Sequence, residues 1–366
     1  MGDTFRVATL GYGSPGSSSL SFPQYHWTQR DDFLPLELPY VVKDFCADDP
    51  FVLMTIGDIQ RFLPLADPKF SQDNKFGDWN AQMRKSEMMK LWGYFPIDAH
   101  SIGGKLGPQL GHTLSHYDRR VVPSEWAKDI VRKTLPDHEC AAIPHGIDIS
   151  IFNPRPRESA RDEFGARLAE VMEWPRSPID IPDEALWIGI VATNQSRKDW
   201  ALGIEIVSEL KKTRPVALWC HTDRLKAEWS ILELLSDFGL LTSSIVTVGN
   251  VSDEVMAESY SALDLTLGIG RGEGFSYTNF ESIFCGIPCF AYAYGAHTDW
   301  MDESHLIPAT SHRIEGPLNL LRPTVQAGYW AHRILPELNK QITRPNELDW
   351  VNLWPTWREW LLEGVK

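Results

Sequence analysis

Two glutamates, Glu273 and Glu281, stand eight positions apart in the stretch RGEGFSYTNFESIFCGIPCF. The apolar run SALDLTLGIG precedes them and ends in glycines, which predicts a strand and then a glycine-rich turn into a helix. Free N–H groups and the positive dipole end make a helix N-terminus a natural anion site. A carboxylate on each side of that site suggests hydroxyl groups flanking a phosphate, the outline of a nucleotide-sugar.

A histidine pair in the segment GHTLSHYD is the other spacing that could do chemistry. His112 and His116 are four apart and could face one way on a helix. Gly111 and the lack of a nearby Cys or acidic ligand argue against a zinc site there. The chain also contains no Asp-x-Asp, the carboxylate pair that usually carries a divalent ion on nucleotide-sugars. The sequence therefore predicts no metal site.

The composition is that of an ordinary globular protein. Its 366 residues are enough for two α/β domains, and its net charge of −14 argues against a large surface for nonspecific phosphate binding. No apolar run approaches the roughly 18–20 residues that span a bilayer, and MGDTFRVATL lacks a signal-peptide layout. We therefore expect a cytoplasmic protein without stable membrane insertion. The five scattered cysteines favour reduced thiols over a disulfide framework.

Strand and helix patterns alternate along the chain, which predicts an α/β fold with a parallel sheet in each of two domains. In the second half, LWIGIVA and VALWCH are predicted strands, and WALGIEIVSELKK is a predicted helix with Leu202, Ile206 and Leu210 on one face. The polar, proline-bearing stretch EWPRSPIDIPDE predicts a linker. The predicted division is an N-terminal domain at 1–172, a linker at 173–184, a C-terminal domain at 185–335 and a helical tail at 336–366.

Helix ends and the tail give further expectations. Ser124 and Ser252 are predicted N-caps of the helices EWAKDIVRKTL and SDEVMAESYSAL. The tail NELDWVNLWPTWREWLLEG carries an apolar stripe at helical spacing, which predicts that this face packs on a domain. The stripe consists of Trp350, Trp354, Trp357 and Leu361.

Glycines follow the first predicted strand, FRVATL. Gly11, Gly13 and Gly16 could let the backbone approach a ligand closely, and we take Gly13 as a candidate ligand-binding residue. A plain flexible turn is the alternative, because no acidic partner follows at the dinucleotide-binding spacing.

Three segments, in chain order, resemble the family 4 retaining glycosyltransferases. PHGIDISIFNP (144–154) resembles the segment that ends the N-terminal domain of that family. ATNQSRKDWALGIEIVSEL (192–210) resembles its strand, loop and helix with a diphosphate-binding basic residue. RGEGFSYTNFESIFCGIPCFAY (271–292) matches its Glu-x7-Glu motif and the Glu-x4-Gly-x-Pro continuation. The likeness covers most of 140–300, whereas the first 120 residues match only in general layout.

The resemblance implies the GT-B fold, two Rossmann-like domains with an interdomain cleft. It further implies an enzyme that transfers a sugar from a nucleotide-diphosphate sugar to an acceptor hydroxyl, with retention of anomeric configuration. We expect no metal and no tightly bound cofactor, because basic side chains and a helix N-terminus can neutralise the leaving group. The N-terminal domain would bind the acceptor, which could be a saccharide, a lipid, a small molecule or modified DNA.

Site residues follow from the matched motifs. Glu273 would hydrogen-bond the hydroxyls of the donor sugar, and Glu281 would hold the ribose. Lys198, with Arg197, would neutralise the departing diphosphate. The backbone donors to the sugar and the diphosphate would be Gly274, Phe275 and Ser276.

Two positions depart from the family pattern. The family places an arginine five residues before the lysine, where this chain has Thr193, and Arg197 is the substitute at hand. The family also has a histidine near donor and acceptor after a strand like LWGYFPI. Asp98 and His100 in FPIDAHSIGG both fit that role, and the sequence leaves the choice between them open.

Other functions on the same architecture stay open as alternatives. A nucleotide-sugar epimerase needs several acids and histidines converging on one site, and this chain fits the Glu-x7-Glu pattern better. A non-catalytic sugar-binding module would keep the fold without turnover. A glycosyltransferase acting on hydroxymethylated DNA bases is the third alternative, which the acidic composition disfavours.

Overall fold

The computed structural model describes residues 9–12, 24–27, 38–47, 49–71, 73–175, 181–338, 340 and 342–365. Gly13 and the middle of the predicted linker, 176–180, lie outside the described residues. The chain divides into two compact units. Unit 1 comprises 1–95, 106–121 and 134–141, and unit 2 comprises 96–105, 122–133 and 142–366. The predicted domain boundaries at 172 and 185 stay a prediction.

The secondary structure alternates between strands and helices along most of the described chain. The strands are β1 Thr9–Tyr12, β2 Gln24–Trp27, β3 Phe51–Ile56, β4 Met89–Tyr94, β5 Arg119–Val122, β6 Ala141–Ala142, β7 Met172–Trp174, β8 Leu186–Val191, β9 Val216–Thr222, β10 Ser244–Val248, β11 Leu265–Gly268, β12 Cys289–Tyr292, β13 Leu306–Ile307, β14 Ser311–Glu315 and β15 Leu320–Thr324. The α-helices are α1 Leu38–Cys46, α2 Leu63–Ala66, α3 Asn74–Lys85, α4 Pro108–Ser115, α5 Glu125–Thr134, α6 Arg157–Arg167, α7 Trp200–Lys211, α8 Ile231–Asp237, α9 Asp253–Ser261, α10 Tyr277–Phe284, α11 Ala327–Ile334 and α12 Trp350–Val365, and short 3₁₀ helices lie between some of these elements.

The sheet of unit 2 has the order β13-β12-β11-β8-β9-β10-β7. Strands β8 to β13 pair in parallel, as the sequence predicts, and β7 pairs antiparallel to β10 at one edge. From β8 the chain proceeds outward through β9 and β10, then returns to the other side of β8 with β11. The strand order therefore reverses between β8 and β11, the kind of switch point at which open α/β sheets bind ligands.

Apolar side chains on both faces of this sheet are buried, which explains why its strands are continuous apolar runs. On β8, Leu186, Ile188 and Ile190 contribute to the core cluster that contains the buried side chains of α7 and α11. The alternating residues Trp187 and Val191 pack against a second cluster, with residues of α9 and α10. Helices on both faces hold the ends of β8 and β11 in place.

The helices predicted at α5, α7 and α9 are confirmed. Helix α7 buries Leu202, Ile206 and Leu210, as its amphipathic pattern predicts. The predicted N-caps also form, because the Oγ of Ser124 accepts the N–H of Ala127 at 3.0 Å. The Oγ of Ser252 accepts the N–H of Val255 at 3.4 Å.

The tail forms a 3₁₀ turn at Asn346–Leu348 and then helix α12, which packs on the second core cluster as predicted, although only Trp357 of the predicted stripe contacts that cluster. Trp350 and Trp354 are 44% and 57% exposed, whereas Leu353 and Trp360 are buried. The side chain of Trp350 lies against Gly146 instead, and the backbone N–H of Trp350 donates to the carbonyl of Ile147 at 3.2 Å. The buried Leu353 and Trp360 fall one position before the predicted Trp354 and Leu361, because tryptophans on both sides of α12 mask its amphipathic pattern.

Unit 1 is built on a four-stranded sheet of order β3-β4-β5-β6, in which β3, β4 and β5 pair in parallel. Its core contains Phe95 and Tyr117, whose rings meet edge to face at 4.8 Å. The Tyr117 hydroxyl shares a hydrogen bond of 2.9 Å with Thr55 on β3. Strands β1 and β2 form a separate parallel pair.

Among the residues described, no helix combines the length and the apolar character that crossing a bilayer requires.

Candidate functional site

Two loops meet at the switch point of the unit 2 sheet. One follows β8 and carries Arg197 and Lys198, and the other follows β11 and carries the glycine-rich turn 269–276. The Arg271 N–H donates to the carbonyl of Arg197 at 2.9 Å, and Lys198 forms an isolated antiparallel bridge with Gly270. This backbone register fixes the two basic residues against the turn, although they lie more than 70 positions away in sequence.

Lys198 and Glu273 form a buried ion pair. The Lys198 ammonium donates to one oxygen of the Glu273 carboxylate, and Arg197 Nη1 lies 3.5 Å from the other. Gly270 makes this geometry possible, because a Cβ there would occupy the position of the Glu273 carboxylate. The predicted donor-site residues Lys198, Arg197 and Glu273 are thus brought together.

The electrostatics of the pair follow from burial and charge. Burial opposes ionisation of Glu273, but Lys198 and Arg197 outweigh it and hold the pKa of the carboxyl below its ordinary value. Burial lowers the pKa of the Lys198 ammonium from its ordinary value, and the charge of Glu273 opposes that shift. Each charge is therefore retained mainly by the other, and removing either would leave a buried charge without its nearest partner.

Asp98 joins the same cluster. Its Oδ2 lies 3.6 Å from Arg197 Nε and 3.4 Å from Arg322 Nη2. Gly272 allows this approach, because a Cβ there would collide with the carbonyl oxygen of Asp98 and with the Arg322 guanidinium. Asp98 is thus a carboxylate held between two guanidinium groups.

His100 occupies a different setting. Its ring lies between those of Trp126 and Tyr294, with centroid distances of 5.9 Å and 5.3 Å. Its Nδ1 lies 2.9 Å from the carbonyl of Ser101, which can only accept, so Nδ1 carries the proton and Nε2 is the basic nitrogen. Of the two alternatives, Asp98 lies in the ion-pair cluster and His100 packs beside it in an aromatic one.

Two arginines of this region were not identified from the sequence. Arg322 lies on β15 of the β14–β15 hairpin, and Arg271 pairs with Asp199 at 3.3 Å and with Glu315 on β14. Both cations are nearly buried. The turn residues between the two strands, with positive φ at Gly316 and Asn319, are the local signal that predicts such a hairpin.

The turn into α10 places the predicted backbone donors. Phe275 is buried, and its ring packs against His145 and Phe280, so its backbone is held firmly. Gly274 packs against Pro96, where an added Cβ would lie 2.7 Å from the proline Cβ. The first N–H groups of a helix have no intrahelical partner, so this turn and the start of α10 present donors suited to an anion.

Ser276 carries backbone strain at this turn. It has φ 75° and ψ 64°, a left-handed conformation that costs a non-glycine residue on the order of 1 kcal/mol or more. Its side chain makes no capping hydrogen bond to α10. Such strain persists where the surrounding structure determines the backbone, and it clusters at functional sites.

Replacing Ser276 by glycine is therefore expected to stabilise the protein by roughly 0.5–1 kcal/mol, since relief of strain exceeds the entropy gained by the unfolded chain. Urea unfolding would measure the change. Ser276→Ala is the matched control, because it removes the same hydroxyl and keeps the strain. A glycine variant less stable than the alanine variant would contradict this account.

Glu281 lies on α10, in a separate setting from the ion-pair cluster. Its Oε2 accepts the hydroxyl of Tyr260 on α9 at 2.9 Å. Burial raises the pKa of the Glu281 carboxyl to about 7, and the hydrogen bond from Tyr260 opposes the shift only in part. A carboxylate kept partly desolvated in this way binds hydroxyl donors strongly when one arrives.

The similarity of this chain to known proteins lies in its three-dimensional structure. No protein family model matches the chain, and no curated protein matches it in sequence. Solved structures do match. Sucrose-phosphate synthase from Thermosynechococcus elongatus is 16% identical, with a TM-score of 0.61 over 90% of this chain and 76% of that one.

Two further structures extend over slightly more of the chain. A glycosyltransferase from Rickettsia africae is 15% identical, with a TM-score of 0.63 over 94% of this chain and 86% of that one. Anabaena HepE, solved in complex with UDP-glucose, is 14% identical, with a TM-score of 0.62 over 93% and 86%. At these identities the likeness establishes the fold alone. The chain therefore has the GT-B fold, as its sequence segments predict.

Proposed function

We propose that this protein is a family 4 retaining glycosyltransferase, which moves a sugar from a nucleoside-diphosphate sugar to an acceptor hydroxyl. The observation that carries the proposal is the buried Lys198–Glu273 pair beside a glycine-rich turn, at the switch point of the sheet. A cation suits the leaving diphosphate, a carboxylate suits sugar hydroxyls, and helix N–H groups suit phosphate oxygens. The likeness of fold to HepE, solved with UDP-glucose, supports the same class of donor.

Lys198 and Arg197 would neutralise the diphosphate as it departs. Negative charge develops on the leaving group in the transition state, and cations already fixed in place stabilise it more than they stabilise the ground state. The N-terminus of α10 would add its dipole and backbone donors. We propose that these groups carry the neutralisation without a metal ion on the donor.

Glu273 would exchange partners when the donor binds. The incoming diphosphate competes for Lys198 and Arg197, and the carboxylate then accepts hydrogen bonds from the hydroxyls of the donor sugar. Glu281 would accept hydrogen bonds from the ribose hydroxyls. Tyr260 donates to Oε2 of this carboxylate, which leaves the other oxygen for the ribose. Glu273 and Glu281 thus would hold the two ends of the donor.

The transfer step balances without a further reagent. The bond between the anomeric carbon and the diphosphate oxygen breaks, and the acceptor oxygen bonds to the same face of that carbon. The acceptor proton passes to the departing phosphate oxygen. Asp98, fixed by Arg197 and Arg322, would orient the acceptor hydroxyl, with the Nε2 of His100 as the other candidate.

The test begins with thermal shift against UDP-, GDP- and ADP-sugars, UDP-glucose first, followed by turnover of the donor that stabilises the protein. Glu273→Gln is expected to lower turnover by about 100-fold, since it removes a charged hydrogen-bond acceptor at the reacting sugar. Affinity for the nucleotide diphosphate alone should change much less. Glu205→Gln, an exposed change on α7, is the matched control.

Three outcomes would decide against the proposal. Turnover by Glu273→Gln at the wild-type rate would remove the role assigned to that residue. Release of an epimerised nucleotide-sugar from donor alone would favour an epimerase. Tight donor binding with neither transfer nor slow hydrolysis to free sugar would favour a non-catalytic module.

A further inference from the structure

His112 and His116 lie beside the carboxylate of Asp67 in unit 1. His112 Nε2 is 2.9 Å from Asp67 Oδ2, and His116 Nε2 is 3.7 Å from the same oxygen. One ligand atom from each of the three residues lies within 4.8 Å of the other two. The acidic partner missing from the local sequence is thus supplied from 45 positions before His112.

Hydrogen bonding explains only part of this arrangement. The contact between Asp67 and His112 has hydrogen-bond length, but 3.7 Å between His116 and the same carboxylate exceeds it. Both imidazoles nevertheless direct Nε2 toward one oxygen, with their ring centroids 4.7 Å apart. A cation bound between the three groups would account for the convergence of all of them.

We propose that Asp67, His112 and His116 bind a divalent transition-metal ion of the zinc class. Two imidazole nitrogens and one carboxylate oxygen form a donor set that zinc uses where it keeps an open coordination position. The side chains of His112 and His116 are 43% and 33% exposed, so water has access to the remaining positions. The site belongs to unit 1, and the proposal does not depend on the transferase function.

The backbone around the three ligands is held by other contacts. Asp67 Oδ1 accepts the N–H of Lys69 at 3.1 Å, which orients the carboxylate and leaves Oδ2 for the ion. Arg84 on α3 donates to the carbonyl of Ala66 at 2.7 Å and to the carbonyl of His116. One arginine therefore ties the segment that carries Asp67 to the end of α4, and preorganised ligands lose little entropy on binding.

The charges of Lys69 and Arg84 also act on His116. Because these cations repel a metal cation, we expect Zn²⁺ to bind more weakly here than at a site without them.

The test uses the full chain without an affinity tag, stripped with a chelator and titrated with Co²⁺. We expect one Co²⁺ per chain, visible absorption bands from a nitrogen and oxygen donor set, and loss of those bands when Zn²⁺ is added. Zn²⁺ should also raise the melting temperature of the stripped protein, since it binds the folded state.

Variants locate the ion. His116→Gln, which breaks no hydrogen bond to Asp67, and Asp67→Asn are each expected to weaken Co²⁺ binding by about 10–100-fold. His332→Gln, an exposed histidine on α11, is the matched control and should bind as wild type does. The proposal is overturned if the wild-type chain binds no Co²⁺, or if both ligand variants keep wild-type affinity while circular dichroism shows them folded.

Discussion

Replacing Lys198 by methionine is expected to lower kcat/KM for the donor by about 10²–10³-fold, or roughly 3–4 kcal/mol. The ammonium group is a buried cation fixed beside Glu273, where the proposed diphosphate departs. Methionine has a similar length without charge, so the change removes the electrostatic contribution and little of the packing. Steady-state transfer assays with the donor identified by thermal shift would measure the effect.

The same substitution is expected to destabilise the fold by about 3–5 kcal/mol, because it leaves the Glu273 carboxylate buried near fewer cations. A double variant, Lys198→Met with Glu273→Gln, removes both charges. It should regain much of the stability and none of the activity. Lys212→Met is the matched control, since that lysine makes only an exposed pair with Glu209 and should be nearly neutral.

Two results would contradict this account. A folded Lys198→Met protein with wild-type turnover would show that the cation does not act on the leaving group. A double variant as unstable as the single one would show that Lys198 and Glu273 are not coupled energetically.

Local patterns predicted much of unit 2 because its elements are determined locally. Apolar runs, amphipathic spacing and capping serines correctly indicated α5, α7 and α9, and the parallel sheet of unit 2 whose strands α7 and α9 connect. The glycines after β11 correctly predicted a turn into a helix, and the structure adds that Gly270 and Gly272 leave room for Glu273 and Asp98 to approach the backbone closely.

Local sequence patterns could not predict contacts between distant segments of the chain. Asp67 meets His112 across 45 positions, and Asp98 meets Arg322 across 224. Neither pair shares an element, so no periodicity links its members, and only the completed fold brings them together. The buried face of the tail helix was mispredicted for another reason. Its tryptophans occur on both faces, so spacing alone could not tell that Trp360 is buried and Trp354 is exposed.

Glu281 is expected to make the stability of the protein depend on pH. Burial raises the pKa of this carboxyl to about 7, from an ordinary value of 4.5. Below pH 4.5 the carboxyl is protonated in both the folded and the unfolded protein, and its contribution to stability is complete. As the pH rises from 4.5 through 7, the unfolded state ionises more readily than the folded state, and this contribution is lost. Glutamine does not titrate, so Glu281→Gln is expected to gain stability relative to wild type between pH 5 and pH 8, by about 1–3 kcal/mol. Urea unfolding of both proteins at the two pH values measures the difference.

Donor binding should respond in the opposite direction. In the ribose-binding role proposed for Glu281, the ionised carboxylate is the stronger acceptor, so wild-type affinity should rise as the pH passes 7, and Glu281→Gln should bind about 10-fold more weakly at pH 8. Tyr260→Phe removes the hydrogen bond that favours ionisation, and it should therefore move the midpoint of the wild-type pH dependence upward. A stability difference between wild type and Glu281→Gln that stays constant from pH 5 to pH 8 would show that Glu281 does not titrate in this range. In that case donor affinity should not depend on pH through Glu281, and only the geometry of the Tyr260 contact would support a ribose-binding role for this residue.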